Sequence, residues 1–212
     1  MEIYSSEEQQ VEAIKRFWKE NGTSIIAGVV LGLGGLYGWR YFQESHVAAT
    51  MATSSAYSKL LEQQEKAAEH PELLAEFQSF VDANSDSSYA LLAALTAAKD
   101  AVVKEDYTAA ATQLNWVISH AKQPEIKALA QLRLARVQNE QKDYPAALAT
   151  LALAVPDAFK AQQQELSGDV LVNSGELAKA KTAYQAAIAA SKDGQNPILK
   201  VKLDELAHVT AA

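Results

Sequence analysis

Apolar and polar positions follow three different patterns along the chain. In residues 1–22, Val11, Ile14 and Phe17/Trp18 recur at helical spacing among charges of both signs, predicting a short amphipathic helix that leads into the next segment. Ser5 followed by Glu8 fits a capping box at its start. Thr23 to Trp39 then form an unbroken uncharged run of 17 residues, "TSIIAGVVLGLGGLYGW". From about residue 43 the apolar positions return to three- and four-residue spacing, punctuated by short polar clusters: "EHPE" at 69–72, "NSDSS" at 84–88, "KED" at 104–106, "KQPE" at 122–125, "QKD" at 141–143, "VPD" at 155–157, "NSGE" at 173–176 and "KDGQNP" at 192–197. The segments between them are rich in Ala, Leu, Gln, Glu and Lys, all helix formers. They predict helices over 44–68, 72–83, 88–103, 107–120, 125–140, 144–154, 158–173, 177–190 and 197–208.

The uncharged run decides where the chain resides. At about 1.5 Å per residue it sits at the short end of a bilayer crossing, and its flanks lengthen it. Phe17 and Trp18 precede it, and Trp39, Tyr41 and Phe42 follow, as expected of aromatic rings at two membrane interfaces. Lys15, Arg16 and Lys19 stand before the run, and after Arg40 no Lys or Arg occurs until Lys59, which places the N-terminus in the cytoplasm and the remainder outside it. A cleaved signal peptide is the rival, with Val47-Ala48-Ala49 as a weak cleavage site. The charged "RYFQE" between the apolar run and those small residues argues for an uncleaved anchor.

The glycines of the run do not form a dinucleotide-binding loop. Gly32-x-Gly34 would require glycine where Tyr37 stands, and no strand precedes it. Helical spacing instead sets Gly28, Gly32 and Gly35 on one face, and Gly34 and Gly38 form a second small-xxx-small pair. Small residues let another membrane helix approach closely, so Gly28, Gly32 and Gly35 are the candidate partner-binding membrane face. High glycine content is also common in membrane helices without any such role.

Beyond the span, three segments repeat. "EDYTAAATQL" carries Tyr107, Ala110 and Leu114; "KDYPAALATL" carries Tyr144, Ala147 and Leu151; "GELAKAKTAY" carries Leu177, Ala180 and Tyr184. Nine residues before each lead stands a small residue, Ala98, Ala135 or Gly168, where a paired helix would cross. Pro156 and Pro197 follow the second helices. These features resemble the tetratricopeptide repeat, a 34-residue helical hairpin. The fold class expected is all-α, a single N-terminal transmembrane helix followed by a tetratricopeptide-like helical-hairpin solenoid. The divisions expected are a cytoplasmic segment 1–22, a transmembrane helix 23–42, a helical stalk 43–70 and a repeat domain 71–212, with 72–83 and 197–208 as end caps. In such a solenoid the first helices line the concave side, and the resemblance implies groove positions at Lys99, Arg136, Asn139, Asp169 and Asn173, where a peptide or a folded partner would lie.

Charge and residue content narrow the chemistry. The net charge is −7; residues 41–212 hold 15 Lys/Arg against 21 Asp/Glu, without a basic cluster, so nucleic acid is not a partner. The chain has no cysteine, which removes disulfides, thiolate metal sites and cysteine nucleophiles. His46, His70, His120 and His208 are never three or four residues apart, so no helix presents a two-histidine metal face, and no metal or other cofactor is expected. Nucleophile-elbow and phosphate-loop motifs are missing, and the carboxylates, such as Glu62, Glu65 and Glu69 beside Lys59 and Lys66, belong to solvated helix faces. Binding rather than catalysis is the expected activity.

"EEQQVEAIKRFWKENG" running into "IIAGVVLGLGGLYGWRYF" is similar to one known family. Gln10, Val11, Glu12, Lys15, Trp18, Gly22, Gly28, Gly32, Gly38, Trp39 and Arg40 fall where the ancillary subunit of the bacterial Sec translocon (the YfgM family) has them. That resemblance implies a single-pass inner-membrane protein with a periplasmic repeat domain. It further implies association with the SecYEG channel and with a membrane-anchored periplasmic chaperone of the prolyl-isomerase type, in the passage of newly translocated polypeptides to chaperones. The alternative is a membrane-anchored repeat scaffold for envelope assembly, unrelated to secretion.

Overall fold

The computed structural model describes residues 7–65, 72–191 and 196–207. All regular structure among them is helical: α1 (Glu7–Glu65), α2 (Leu73–Ala83), α3 (Ser88–Val103), α4 (Tyr107–His120), α5 (Pro124–Glu140), α6 (Tyr144–Leu151), α7 (Asp157–Asn173), α8 (Leu177–Ala190) and α9 (Pro197–Glu205). His70 and His208, the capping serine expected at position 5, and the far ends of the expected helices 44–68 and 197–208 lie outside the described residues. By internal contacts the chain divides into two units, residues 1–52 and 53–212.

In the first unit, the lead-in and the apolar run are not two helices but one uninterrupted stretch of α1. Asn21-Gly22 is the natural place for a break. There the Asn21 side-chain amide donates to the Phe17 carbonyl at 3.2 Å, and the Trp18 indole lies 3.4 Å from where a Gly22 Cβ would be. The indole covers the Gly22 backbone, which is buried. The apolar run passes the length and composition test for a membrane span, and almost none of it is buried within the protein. Leu31 is 76% exposed and Trp39 66%. A water-soluble core helix would hide those side chains; in hydrocarbon they need no cover.

The second unit is built from helix pairs, α3/α4, α5/α6 and α7/α8. Every small residue expected at a crossing is buried: Ala98, Ala110, Ala135, Ala147 and Ala180 are all at 3% exposure or less. Gly168 occupies the same place in α7, directly against the Tyr184 ring of α8. The core passes from pair to pair. Leu73, Phe77 and Val81 of α2 pack with the alanines of α3 and with Leu114 and Val117 of α4. Leu132, Ala135, Ala147, Leu151, Leu166 and Val170 join α5, α6 and α7. Leu171, Ala183, Tyr184, Ala187 and Leu199 close the end under α9. The segment read from sequence as a stalk also enters this core: Leu60 of α1 is buried, and Tyr57 packs against Phe80 and Tyr89 with ring centroids 6.1 and 5.8 Å away.

The turns inside the pairs share one geometry. The backbone N–H of Asp106, Asp143 and Glu176 reaches back to the carbonyl of Ala101, Gln138 and Leu171 at 2.8, 2.9 and 2.8 Å. The residue before each has positive φ: Glu105 58°, Lys142 61° and Gly175 84°. Asp106 and Asp143 then cap the next helix, accepting from Ala109 and Ala146 at 2.9 and 3.1 Å. A left-handed conformation costs a side-chain-bearing residue about 1 kcal/mol and glycine nothing. Lys142→Gly is therefore expected to raise the urea unfolding midpoint, by up to about 1 kcal/mol of stability, and Gly175→Ala to lower it by a similar amount.

Helix ends of α2 to α5, α7 and α8 match the sequence reading closely, whereas α9 stops at Glu205, ahead of a turn at Leu206 and Ala207, and α6 also stops early. The expected helix 144–154 stops at Leu151. Gln163 of α7 explains the early stop, since its Nε2 donates to the Leu151 and Leu153 carbonyls, both at 2.7 Å. Those carbonyls have a side-chain partner in place of a further helical turn.

Candidate functional site

A groove of the repeat unit lies between the first helices of two pairs. Leu92, Leu95, Lys99, Val102 and Val103 of α3 face Leu129, Arg133, Arg136, Val137 and Glu140 of α5, around a volume of about 840 Å³. The end of α1 contributes Tyr57, whose hydroxyl lies 3.4 Å from Thr96 Oγ1, and α4 contributes Tyr107 and Leu114. The composition of α3 explains why this surface is apolar. Its core face is almost all alanine (Ala90, Ala93, Ala94, Ala97, Ala98, Ala101), which lets α2 and α4 approach closely. Its bulky residues are left over, and Leu92 and Val103 stand 44% and 74% exposed.

Of the five groove positions expected from sequence, Lys99 and Arg136 line this groove. Both are exposed, and neither makes a hydrogen bond or ion pair among the described residues. Asn139 and Asn173 lie outside it and bind each other, Asn173 Nδ2 donating to Asn139 Oδ1 at 3.1 Å, so they join α5 to α7. Asp169 is held elsewhere. Its carboxylate accepts from the Tyr184 hydroxyl at 2.8 Å and from Lys202 Nζ of α9 at 2.7 and 2.9 Å, and Lys202 also donates to Glu165 at 2.9 Å. That cluster ties α7, α8 and α9 together. Sequence reasoning missed Arg133, one helical turn before Arg136, and missed the apolar wall. The signal for the wall was that α3, "SYALLAALTAAKDAVV", is apolar on more faces than its packing uses.

The cluster has a pH signature. Burial alone would lower the Lys202 pKa, but hydrogen bonds to Asp169 and Glu165 and their charges outweigh it, and the net shift is upward. Burial raises the Tyr184 phenol, helped by its hydrogen bond to Asp169 and by the negative charges of Asp169, Glu165 and Glu205. For both groups the folded value lies above the unfolded one, so their stabilisation is complete below about pH 10 and is lost as pH climbs through the folded values. The urea midpoint is expected to be level between about pH 7 and 9 with respect to these groups and to fall above about pH 10, and Lys202→Met is expected to flatten that fall.

The glycine face lies in the first unit. A Cβ built at Gly28, Gly32 or Gly35 meets nothing within 4 Å, so no part of the described chain covers it. His46 packs edge-on to Phe42 at 4.4 Å, and His120 stacks on Trp116 at 4.1 Å with its Nδ1 2.9 Å from the Trp116 carbonyl. Both rings are thus engaged by aromatic neighbours on their own helix.

Comparison with known proteins adds the following. A family model described as a tetratricopeptide repeat-like domain matches residues 15–208. A Haemophilus influenzae protein named as an ancillary SecYEG translocon subunit is 36% identical, over 94% of this chain and 97% of its own length. Relatives of the same name from Escherichia coli K12 and Neisseria gonorrhoeae are 35% and 29% identical, over 89% and 97% of this chain and 90% and 100% of theirs. No solved structure matches the chain.

Proposed function

Because the chain belongs to the tetratricopeptide-like family of ancillary SecYEG translocon subunits, we propose that it is a non-enzymatic accessory of the Sec translocon. In this reading, residues 23–42 cross the bacterial inner membrane once, residues 1–22 are cytoplasmic and the repeat domain is periplasmic. The span places Gly28, Gly32 and Gly35 against a membrane helix of a partner. The repeat domain binds partners through the α3–α5 groove, with Lys99 and Arg136 in direct contact, Asn139 and Asn173 along the same row of first helices, and Asp169 holding the end of that row through Lys202. The partners are the SecYEG channel, a membrane-anchored periplasmic prolyl-isomerase-type chaperone, and translocating polypeptides passed between them.

The observation that carries this reading is similarity over almost the full length, span included, to relatives that bear the translocon-subunit name. An uncovered glycine face and a groove with unpaired cations fit a protein that works by contact. The test is affinity purification of the full chain from membranes in mild detergent. Recovery of channel subunits at stoichiometric level is expected; recovery of cell-wall or outer-membrane assembly proteins in their place would support an envelope-assembly scaffold instead. Gly28→Leu with Gly32→Leu is expected to keep membrane insertion and to lose the channel subunits.

A further inference from the structure

The two walls of the α3–α5 groove differ in chemistry. The α3 wall is apolar apart from Lys99 and Thr96, through Leu92, Leu95, Val102 and Val103. The α5 wall carries Arg133 and Arg136, and Glu140 is the single acidic residue of the lining. Three cations against one anion runs counter to the chain as a whole, whose net charge is −7. Three lysines elsewhere in the repeat unit take acidic partners: Lys160 pairs with Asp157, Lys179 with Glu176, and Lys202 with Glu165 and Asp169. Lys99, Arg133 and Arg136 make no hydrogen bond or ion pair among the described residues. Of the large apolar side chains exposed among the described residues of the repeat unit, half (Leu92, Val102 and Val103) belong to this one surface.

An apolar wall opposite a row of unsatisfied guanidinium donors complements a ligand with one apolar and one acidic edge. We propose that the groove takes an acidic amphipathic segment of a partner protein, its apolar stripe against α3 and its Asp or Glu side chains on Arg133 and Arg136. Guanidinium groups bind carboxylates through paired hydrogen bonds, and the apolar wall supplies burial without sequence specificity. This rests on the reading of the groove as a protein-binding site and narrows it. A groove that accepted any emerging polypeptide would gain nothing from a one-sided charge, which repels basic segments. The occupant is a dedicated acidic segment, not an unselected client chain.

Two fluorescein-labelled peptides test this on the full chain in a neutral detergent, by fluorescence anisotropy. Both carry leucines at helical spacing; one has glutamates on the flank of that stripe and the other lysines at the same positions. The glutamate peptide is expected to bind at least about tenfold more tightly at low salt, and the gap is expected to narrow in high salt. Arg133→Glu with Arg136→Glu is expected to reverse the preference. These side chains are exposed, so folding is spared, and Lys104→Glu with Lys122→Glu, both exposed and outside the groove, is the control for net charge. Val103→Asp is expected to weaken the glutamate peptide further. Equal binding of the two peptides, failure of the glutamate peptide to bind, or a preference unchanged by the double charge reversal would each overturn the inference. Co-purification of channel subunits without peptide preference would leave the translocon reading standing and this one refuted; peptide preference without channel subunits would do the opposite.

Discussion

Gly168→Ala will destabilise the repeat unit by up to about 2 kcal/mol, although alanine is the better helix former. In a helix interior the exchange gains about 1 kcal/mol from backbone entropy. Here the added methyl falls well inside van der Waals contact of the Tyr184 ring. That ring cannot swing away at little cost. It is 3% exposed, packed among Leu171, Ala180 and Leu199, and its hydroxyl is bound to Asp169. Overpacking a well-filled core costs about 1–3 kcal/mol, enough to exceed the helix gain. Urea unfolding of Gly168→Ala, Tyr184→Leu and the double variant checks this. Tyr184→Leu alone should also destabilise, but the two losses should be far from additive, because the smaller side chain makes room for the methyl. Additive losses would mean that α7 and α8 do not meet at this point.

Leu31→Arg combined with Leu33→Arg will abolish membrane anchoring. Both leucines lie midway along the uncharged run and are exposed in the protein, so neither substitution disturbs an internal core. A charged residue at the centre of a bilayer helix costs about 2.5–3.5 kcal/mol on insertion scales, so two cost about 5–7 kcal/mol. Alkaline carbonate extraction reads the outcome: the parent chain should stay with the membrane pellet and the variant should move to the supernatant. Leu92→Arg, a comparable change in the groove, should leave the chain in the pellet. Retention of the double variant would show that something other than the apolar run holds the protein on the membrane.

Much of the architecture is legible in the sequence because its determinants are local. Asp106 and Asp143 cap helices three residues downstream, and "KED" and "QKD" mark turns whose hydrogen bonds span only five residues. Ala98, Ala135 and Gly168 recur at repeat spacing because close helix crossings tolerate only small side chains, so the packing is written into residue size. Features that depend on distant partners are not legible in the same way. Nothing near Leu151 signals that α6 will stop there, since the cause is Gln163, twelve residues on in another helix. Tyr57 and Leu60 look like one more stretch of stalk, and only the position of α2 and α3 shows that they complete a core. Asp169 looks like a groove residue equivalent to Lys99 and Arg136, being next to the crossing residue in each first helix. Lys202, 33 positions away, holds its carboxylate instead. The groove itself was half visible: Lys99 and Arg136 stand out in sequence, whereas Arg133 and the apolar wall become apparent only once α3 and α5 are placed side by side and alanine is seen to fill the core side of α3.

The reading depends above all on one helix placing a repeat domain on the far side of the inner membrane. The chain has no cysteine, so single substitutions report topology without background. Glu12→Cys and Lys122→Cys, both at exposed positions, would be treated in intact spheroplasts with a membrane-impermeant maleimide. The account predicts rapid labelling of the cysteine at 122 and labelling of the cysteine at 12 only after the membrane is permeabilised. Labelling at 12 with protection at 122, or equal labelling of both in intact spheroplasts, would contradict it.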